Sequence, residues 1–264
     1  METEIAPVAL VTGAGQGIGR IIAQRMARSG MDVALHYWDG DSVVQEMAAH
    51  IRNSGRRVVV LHGDLTEPGL PQSIVHETLE DLGRLDVVVN NAGVTFMSPF
   101  TALSSEDVDA CYRINFLAPL GISQAAARWM IDQNRPGSII HITSVHQERV
   151  TDRDNIYGAM KAALARLTES MAYELAPYHI RVNAVAPGRI ATPEQLARAR
   201  PERESQIAAA IPLGRTGTAE DVAAAVQWLS SEDSQYVTGI TLRVDGGMNL
   251  PMTQAQVDGQ SRFF

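Results

Sequence analysis

Cysteine is nearly absent. The 264-residue chain holds one, Cys111, so no internal disulfide can form and nothing calls for an oxidising compartment. Lysine is equally scarce: of 22 basic residues all are arginine except Lys161. Positive charge is in deficit overall, 22 basic against 30 acidic side chains for a net charge of −8, which argues against a nucleic-acid or anionic-membrane surface. No apolar run is long enough to span a bilayer, and the start, METEIAPVAL, lacks the basic region and long apolar stretch of a signal peptide. Linkers rich in Pro, Gly or Ser, internal repeats and metal-ligand spacings are missing as well. The expectation is a cytoplasmic protein with no metal, no nucleic-acid partner and no membrane partner.

What the chain does have is enough apolar content, 45%, to bury a sizeable core, and a length that suits one α/β domain. Short β-branched runs alternate with helical patterns. Strands are expected at Pro7–Thr12, Asp32–Tyr37, Arg57–His62, Leu85–Val89, Ser138–Ile142, Arg181–Val185 and Ile240–Val244. Helices are expected at Ile18–Ser29, Ser42–Asn53, Pro71–Leu82, within Glu106–Gln133, at Ile156–Ala176 and at Ala219–Ser230. Such alternation implies right-handed crossovers and a doubly wound, mainly parallel seven-stranded sheet with helices on both faces. One domain covers 1–264, with a long irregular stretch at 188–217 as a candidate lid and a tail at 249–264.

Between the first strand and first helix lies TGAGQGIG, residues 12–19. Glycines 13, 17 and 19 permit a tight turn and close backbone approach, so that a pyrophosphate can sit on the helix N-terminus. Further along come Asp64-Leu65, the run NNAG at 90–93, Asn115, Ser144, YGAMK at 157–161 and PGRIAT at 187–192. In this order the motifs resemble a short-chain dehydrogenase/reductase of the type with TGxxxGxG and a Tyr-x-x-x-Lys pair, over roughly Ala6 to Met248. The resemblance implies a Rossmann-type fold and an NAD(H) or NADP(H) cofactor. It places Gly13, Gln16, Gly17, Ile18 and Gly19 on the phosphates, and Tyr37 and Trp38 beside the adenosine ribose. Asp64, with Leu65, is implied at the adenine. Asn91, Ala92 and Gly93 would support the central strands and cofactor, while Pro187, Gly188, Ile190 and Thr192 would surround the nicotinamide carboxamide.

Tyr157 and Lys161 are four apart on an expected helix and therefore share a face. A free tyrosine ionises near pH 10, about three units too high for a base near neutrality, and a nearby ammonium favours its phenolate. The pair is thus a plausible acid/base unit in which Lys161 keeps Tyr157 acidic. Ser144 follows a strand at the C-terminal edge of the sheet, where open parallel sheets place ligands. Asn115 is an amide in mid-helix, where helices disfavour one. The resemblance implies that Ser144 holds the substrate oxygen beside Tyr157, that Lys161 also binds the nicotinamide ribose, and that Asn115 positions a water in a proton relay through Lys161. His146, two residues past Ser144, invites a Ser-His hydrolase reading, but no Gly-x-Ser-x-Gly elbow surrounds Ser144 and no dedicated acid is evident. Lining of the substrate pocket is the better expectation for His146.

Cofactor preference turns on the end of the second strand, where an acidic residue suits NAD and a basic one NADP. The family's acidic position is Tyr37 and its basic positions are Gln16 and Trp38, so neither pattern is present. Asp39 and Asp41 would repel a 2′-phosphate, which favours NAD(H) with dual use open. SVHQ at 144–147 and YVTGITLRVDGGM at 236–248 are similar to glucose and polyol dehydrogenases. The expected substrate is a sugar, polyol or small carbonyl compound. A 3-oxoacyl-(acyl-carrier-protein) reductase is the alternative, weakened because Arg135 matches one carrier-docking arginine while Tyr178 stands at the other. A catalytically idle dinucleotide-binding protein is a further alternative, opposed by the complete Asn115, Ser144, Tyr157 and Lys161 set. Arg198, Arg200 and Arg203 could attract an anionic substrate, although a solvated helix face is the simpler expectation. The resemblance also implies a homotetramer, in which the terminal Phe263-Phe264 pair could be covered.

Overall fold

The structure is a computed structural model that describes residues 6–192 and 201–250. Arg198, Arg200, Phe263 and Phe264 lie outside the described residues, as do the side chain of Arg203 and the tail beyond Leu250.

Seven strands form one all-parallel sheet in the order β3-β2-β1-β4-β5-β6-β7. They are β1 (Val8–Val11), β2 (Asp32–Tyr37), β3 (Val58–His62), β4 (Val87–Asn90), β5 (Gly137–Ile142), β6 (Ile180–Pro187) and β7 (Thr241–Val244). Strand side chains alternate between faces, and in β1 that alternation feeds two separate cores. Ala9 and Val11 pack toward α1 (Gly17–Arg28), α2 (Asp41–Asn53) and α8 (Ala219–Ser230). Val8 and Leu10 pack toward α3 (Leu70–Leu82), α5 (Ala118–Asp132) and α6 (Ile156–Leu175). With both faces covered, the strands carry apolar runs rather than a polar–apolar alternation.

Chain order reverses between β1 and β4, and at that switch point a crevice opens outside the C-terminal strand ends. The segment 12–19 leaves β1 there and 91–93 leaves β4. The remaining site segments also leave C-terminal strand ends: 62–65 after β3, 143–146 after β5 and 188–192 after β6.

Two expectations change. The helix expected within Glu106–Gln133 is divided: α4 (Ser105–Tyr112) passes through a π-turn at Arg113–Leu117 before α5 begins. The stretch 188–217, irregular in the sequence pattern, contains a helix, α7 (Pro201–Ala210). Its ends are tied together, because Gly217 N donates to Arg189 O (2.9 Å) and Ala191 N to Gly217 O (2.8 Å). Among the described residues no helix is long and apolar enough to cross a membrane.

Candidate active site

The glycine turn is stitched to the segment after β4 by one threonine and one asparagine. Thr12 Oγ1 accepts from the amides of Asn91 and Ala92, each at 3.0 Å, while Asn91 Nδ2 donates to the carbonyls of Thr12 (2.9 Å) and Gly13 (3.3 Å). Gly13 has φ +65°, a conformation costly to a residue with a side chain. A Cβ on Gly19 would lie 2.2 Å from the Gly13 carbonyl oxygen, so only glycine fits. At the start of α1, Gln16 makes no side-chain cap and the first turn carries no acid, which leaves its amides and the positive end of its dipole available to an anion. The glycine cradle and uncapped helix fit a dinucleotide pyrophosphate. Sequence reasoning passed over His36, which braces this turn: its carbonyl accepts from Ala14 N (2.8 Å) and its Nδ1 from Gly13 N (3.5 Å). Burial lowers the His36 pKa and so favours the neutral ring that this acceptor role requires.

At the far end of the crevice, the Tyr37 hydroxyl donates to Asp41 Oδ1 at 2.5 Å, and that bond raises the tyrosine pKa. Trp38 is half-exposed and stacks on His62 with ring centroids 5.4 Å apart. No cation occurs between Tyr37 and Asp41. Asp64 Oδ1 accepts from Thr66 N at 2.9 Å, shaping the turn after β3, and Leu65 beside it is buried.

At the near end lies a pocket of about 410 Å³. The candidates Ser144, His146, Tyr157 and Lys161 meet in its wall with Ile18, Asn91, Gly93, Pro187, Gly188, Ile190 and Thr192. Gly13, Gln16, Gly17, Gly19 and Ala92 are not in that wall, nor are Tyr37, Trp38, Asp64 and Leu65, which belong to the glycine turn and to the strand ends beyond it. Met97, Arg189 and Met248 also line the pocket, and the sequence carried no signal for them beyond the placement of Arg189 and Met248 inside named motifs.

Asn115 is fully buried behind this wall, on the π-turn. The wider turn loosens the regular helical ladder, and the Asn115 amide nitrogen donates to the carbonyls of Cys111 (3.0 Å) and Val94 (2.8 Å). Its Oδ1 has no partner. A Cβ on Gly93 would sit 2.8 Å from that oxygen and 3.4 Å from Lys161 Nζ, so glycine keeps a polar gap open between them. A buried acceptor facing an amine can be bridged to it by a water or a ligand hydroxyl.

Lys161 is buried, donates to the Ile142 carbonyl at 2.9 Å, and lies 5.5 Å from the centroid of the Tyr157 ring. Burial lowers its pKa to about 8. Burial likewise pushes Tyr157 up to about 12, opposed by the Ser144 hydroxyl and reinforced by the Asp154 carboxylate. In the resting site the Ser144 hydroxyl is the group that draws the Tyr157 pKa down. Desolvation penalises the charged form of each group, and Nζ is engaged by a carbonyl instead of the phenol, so the resting site holds a protonated tyrosine.

His146 lies between Ser144 and Asp154. Its backbone amide donates to Ser144 Oγ (3.2 Å), and its ring Nδ1 lies beside the Asp154 carboxylate. Asp154 is the acid that no sequence motif announced; the one signal was an acidic residue just ahead of a helix, and its Oδ1 accepts from Gly158 N (3.3 Å) in the first turn of α6. The hydrolase reading still fails, because the other ring nitrogen of His146 approaches the Thr151 hydroxyl (3.4 Å) rather than Ser144. Among the described residues no cluster could hold a metal ion.

A family model described as enoyl-(acyl carrier protein) reductase matches residues 13–249. The short-chain dehydrogenase/reductase eriH of Hericium erinaceus is 37% identical over 91% of this chain and 96% of that protein. Glucose 1-dehydrogenase 2 of Bacillus subtilis is 35% identical over 94% and 96%. The crystal structure of acetoin dehydrogenase YohF from Salmonella typhimurium superposes with a TM-score of 0.86 at 38% identity, covering 94% of this chain and 98% of that one. With its all-parallel sheet, glycine cradle and tyrosine–lysine pocket, the chain belongs to the short-chain dehydrogenase/reductase family, NAD(P)-dependent oxidoreductases of secondary alcohols and ketones.

Proposed function

We propose that the protein interconverts a secondary alcohol and a ketone on a sugar, polyol or small carbonyl compound, with Asn115, Ser144, Tyr157 and Lys161 as its catalytic set. The observation that carries this reading is the gap between Asn115 Oδ1 and Lys161 Nζ, which lies next to a protonated phenol in the pocket wall. When bound, the nicotinamide supplies or accepts the hydride. Everything else falls to side chains. In reduction the Tyr157 hydroxyl gives its proton to the nascent alkoxide; in oxidation the phenol first loses its proton to the Lys161–water relay, and the phenolate then takes one from the alcohol. Ser144 holds the same oxygen by hydrogen bond, and its contact with Tyr157 draws the phenol pKa back down. Lys161 donates to the ribose hydroxyls, and a water seated against Asn115 Oδ1 carries protons between Lys161 and solvent. Ile190 and Thr192 hold the carboxamide, and Gly13, Gln16, Gly17, Ile18 and Gly19 hold the pyrophosphate. The stretch 188–217, pinned at its base by the Gly217 bonds, acts as the lid over the substrate. The tail from residue 249 onward carries no assigned role.

NAD(H) is proposed to serve at least as well as NADP(H). Asp41, bound by the Tyr37 hydroxyl, and Asp39 set negative charge where a 2′-phosphate would lie, and residues 37–41 contain no cation to oppose it. A hundredfold preference for NADP(H) in steady-state kinetics overturns this preference. Reaction in the cytoplasm and assembly as a homotetramer complete the proposal. Among the described residues the outer edge of β7 is unpaired, and an open strand edge favours association; Tyr236 ahead of it is fully exposed. Sedimentation as a monomer at micromolar concentration removes the tetramer. The redox reading itself is tested by nicotinamide absorbance against a panel of sugars, polyols and β-keto esters: turnover of a sugar or polyol is expected. Turnover of carrier-linked β-keto esters alone would favour the ketoreductase, and turnover of none the idle binding protein.

A further inference from the structure

The canonical part of the pocket deals with one substrate oxygen. Ser144 and Tyr157 converge on it, and Asn115 and Lys161 stand behind them. A second polar group in the same wall has no place in that chemistry: the imidazole of His146, set beside a carboxylate with only 1% of its side-chain surface exposed.

Burying Asp154 is expensive unless its oxygens are bonded. One oxygen is used in the first turn of α6, on Gly158 N, a task that a capping side chain performs without any imidazole. The other lies beside His146 Nδ1 at ion-pair range, without the geometry of a hydrogen bond. A carboxylate placed beside Nδ1 favours a proton on that nitrogen, and the opposite nitrogen becomes the group the ring offers. Among the described residues that nitrogen, Nε2, bonds only to the exposed Thr151 hydroxyl, at 3.4 Å, near the outer limit of a hydrogen bond. The backbone of residue 146 is pinned as well, through its amide to Ser144 Oγ at 3.2 Å, and its carbonyl packs against α6 where a Cβ on Gly158 would come within 2.9 Å. The ring stands edge-on to Tyr157 with centroids 5.9 Å apart. A polar side chain is therefore set in the pocket wall beside the oxygen-binding pair, with its backbone pinned and one nitrogen nearly free.

We propose that the Asp154-oriented His146 is a specificity-determining residue that binds a second oxygen of the substrate, on a carbon next to the reacting one, so that vicinal diols, α-hydroxy ketones and cyclic sugars with a hydroxyl beside the reacting centre are preferred over simple alcohols and ketones. This rests on the redox reading of the same pocket. His146 contacts substrate; Asp154 acts through His146 and is a positioning residue.

Substrate pairs that differ only in the second oxygen test it: D-glucose against 2-deoxy-D-glucose, 2,3-butanediol against 2-butanol, and acetoin against 2-butanone. Each is followed by nicotinamide absorbance in the wild type and in His146→Phe, His146→Gln and Asp154→Asn. In every pair that turns over, the wild type is expected to favour the vicinal member by about tenfold or more in kcat/KM, the size of one well-placed hydrogen bond. His146→Phe should erase that preference, losing about tenfold on the vicinal member, chiefly in KM, while the simple member changes by less than about threefold. His146→Gln should recover part of the preference, and Asp154→Asn should fall between wild type and His146→Phe. Where Asp154→Asn does not fold, the two His146 variants decide alone. Equal losses on both members, or no wild-type preference, overturn the proposal and leave the redox reading standing. Turnover of no member of any pair overturns both.

Discussion

Two sets of polar side chains are buried on the same few elements, and they are built on opposite principles. The first runs through the core from β4 to α6. The Leu164 carbonyl can only accept, so the Thr168 hydroxyl donates to it (2.9 Å) and must itself accept from His141 Nδ1–H (2.8 Å). His141 Nε2 is then bare and accepts from the Ser123 hydroxyl (3.2 Å), whose oxygen accepts from Asn90 Nδ2 (2.9 Å). Every link has one direction only, and along the chain a single atom, Asn90 Oδ1, is left without a partner. Burial pushes His141 down to about 3, so the ring keeps the neutral form that this chain of donors requires. The second set, Asn115, Ser144, Tyr157 and Lys161, is nearly as buried but unfinished. It has an orphan oxygen, a gap in front of an amine, and two ionisable groups driven toward their neutral forms. A closed polar chain fixes structure, whereas an open one waits for a ligand.

The contrast can be broken in four ways, at three positions. Tyr157→Phe should cost the most, about a thousandfold or more in kcat, the range of a lost general acid, with cofactor affinity by fluorescence titration unchanged. Retention of a tenth of wild-type activity would mean that the open set is not the proton donor. Lys161→Arg keeps the charge in a chain that uses arginine at every other basic site, so a purely structural role predicts no change. A guanidinium is larger and rigidly forked, and it cannot occupy the slot between the Ile142 carbonyl and the Gly93 gap; kcat is expected to fall about a hundredfold with normal folding. Activity within a few-fold of wild type would make the single lysine an accident of composition.

The closed set should answer differently. His141→Phe leaves the Ser123 and Thr168 hydroxyls short of a partner and should cost about 2 kcal/mol or more of stability in urea unfolding, while kcat stays within threefold. A large kcat loss without destabilisation would join His141 to the catalytic set. The last effect is in pH. His141 stays neutral when folded and takes a proton when unfolded, so the unfolded state binds more protons between the two pKa values and stability is lost as pH falls from about 6.5 towards 3. His141→Asn should remove up to about 1.4 kcal/mol per pH unit of that slope, measured as the difference in urea unfolding between pH 6 and 4. Parallel slopes in the two proteins would show that His141 is not held neutral.

Much of this was legible in the order of residues. The parallel sheet follows from strand–helix alternation, because right-twisted strands joined by helices have one handed solution. The glycine turn could be read at residues 13, 17 and 19, because a missing side chain is a local property. The π-turn at Arg113–Leu117 was not legible, since its register depends on Asn115 reaching the Val94 carbonyl, a partner 21 residues away. His36 was not legible either: a strand histidine looks like any buried residue until the glycine turn is folded against it.

The sequence by itself thus determined the sheet, the dinucleotide cradle and the identity of the Tyr157, Lys161, Ser144 and Asn115 set, because backbone preferences and side-chain spacing along helices and strands are short-range. Only the tertiary structure decided the direction in which burial moves Tyr157 and Lys161, the unpartnered oxygen of Asn115 and the placement of His146 beside Asp154. Those depend on how completely water is removed and on which groups from distant segments close around the site, and neither quantity is written in any local stretch of chain.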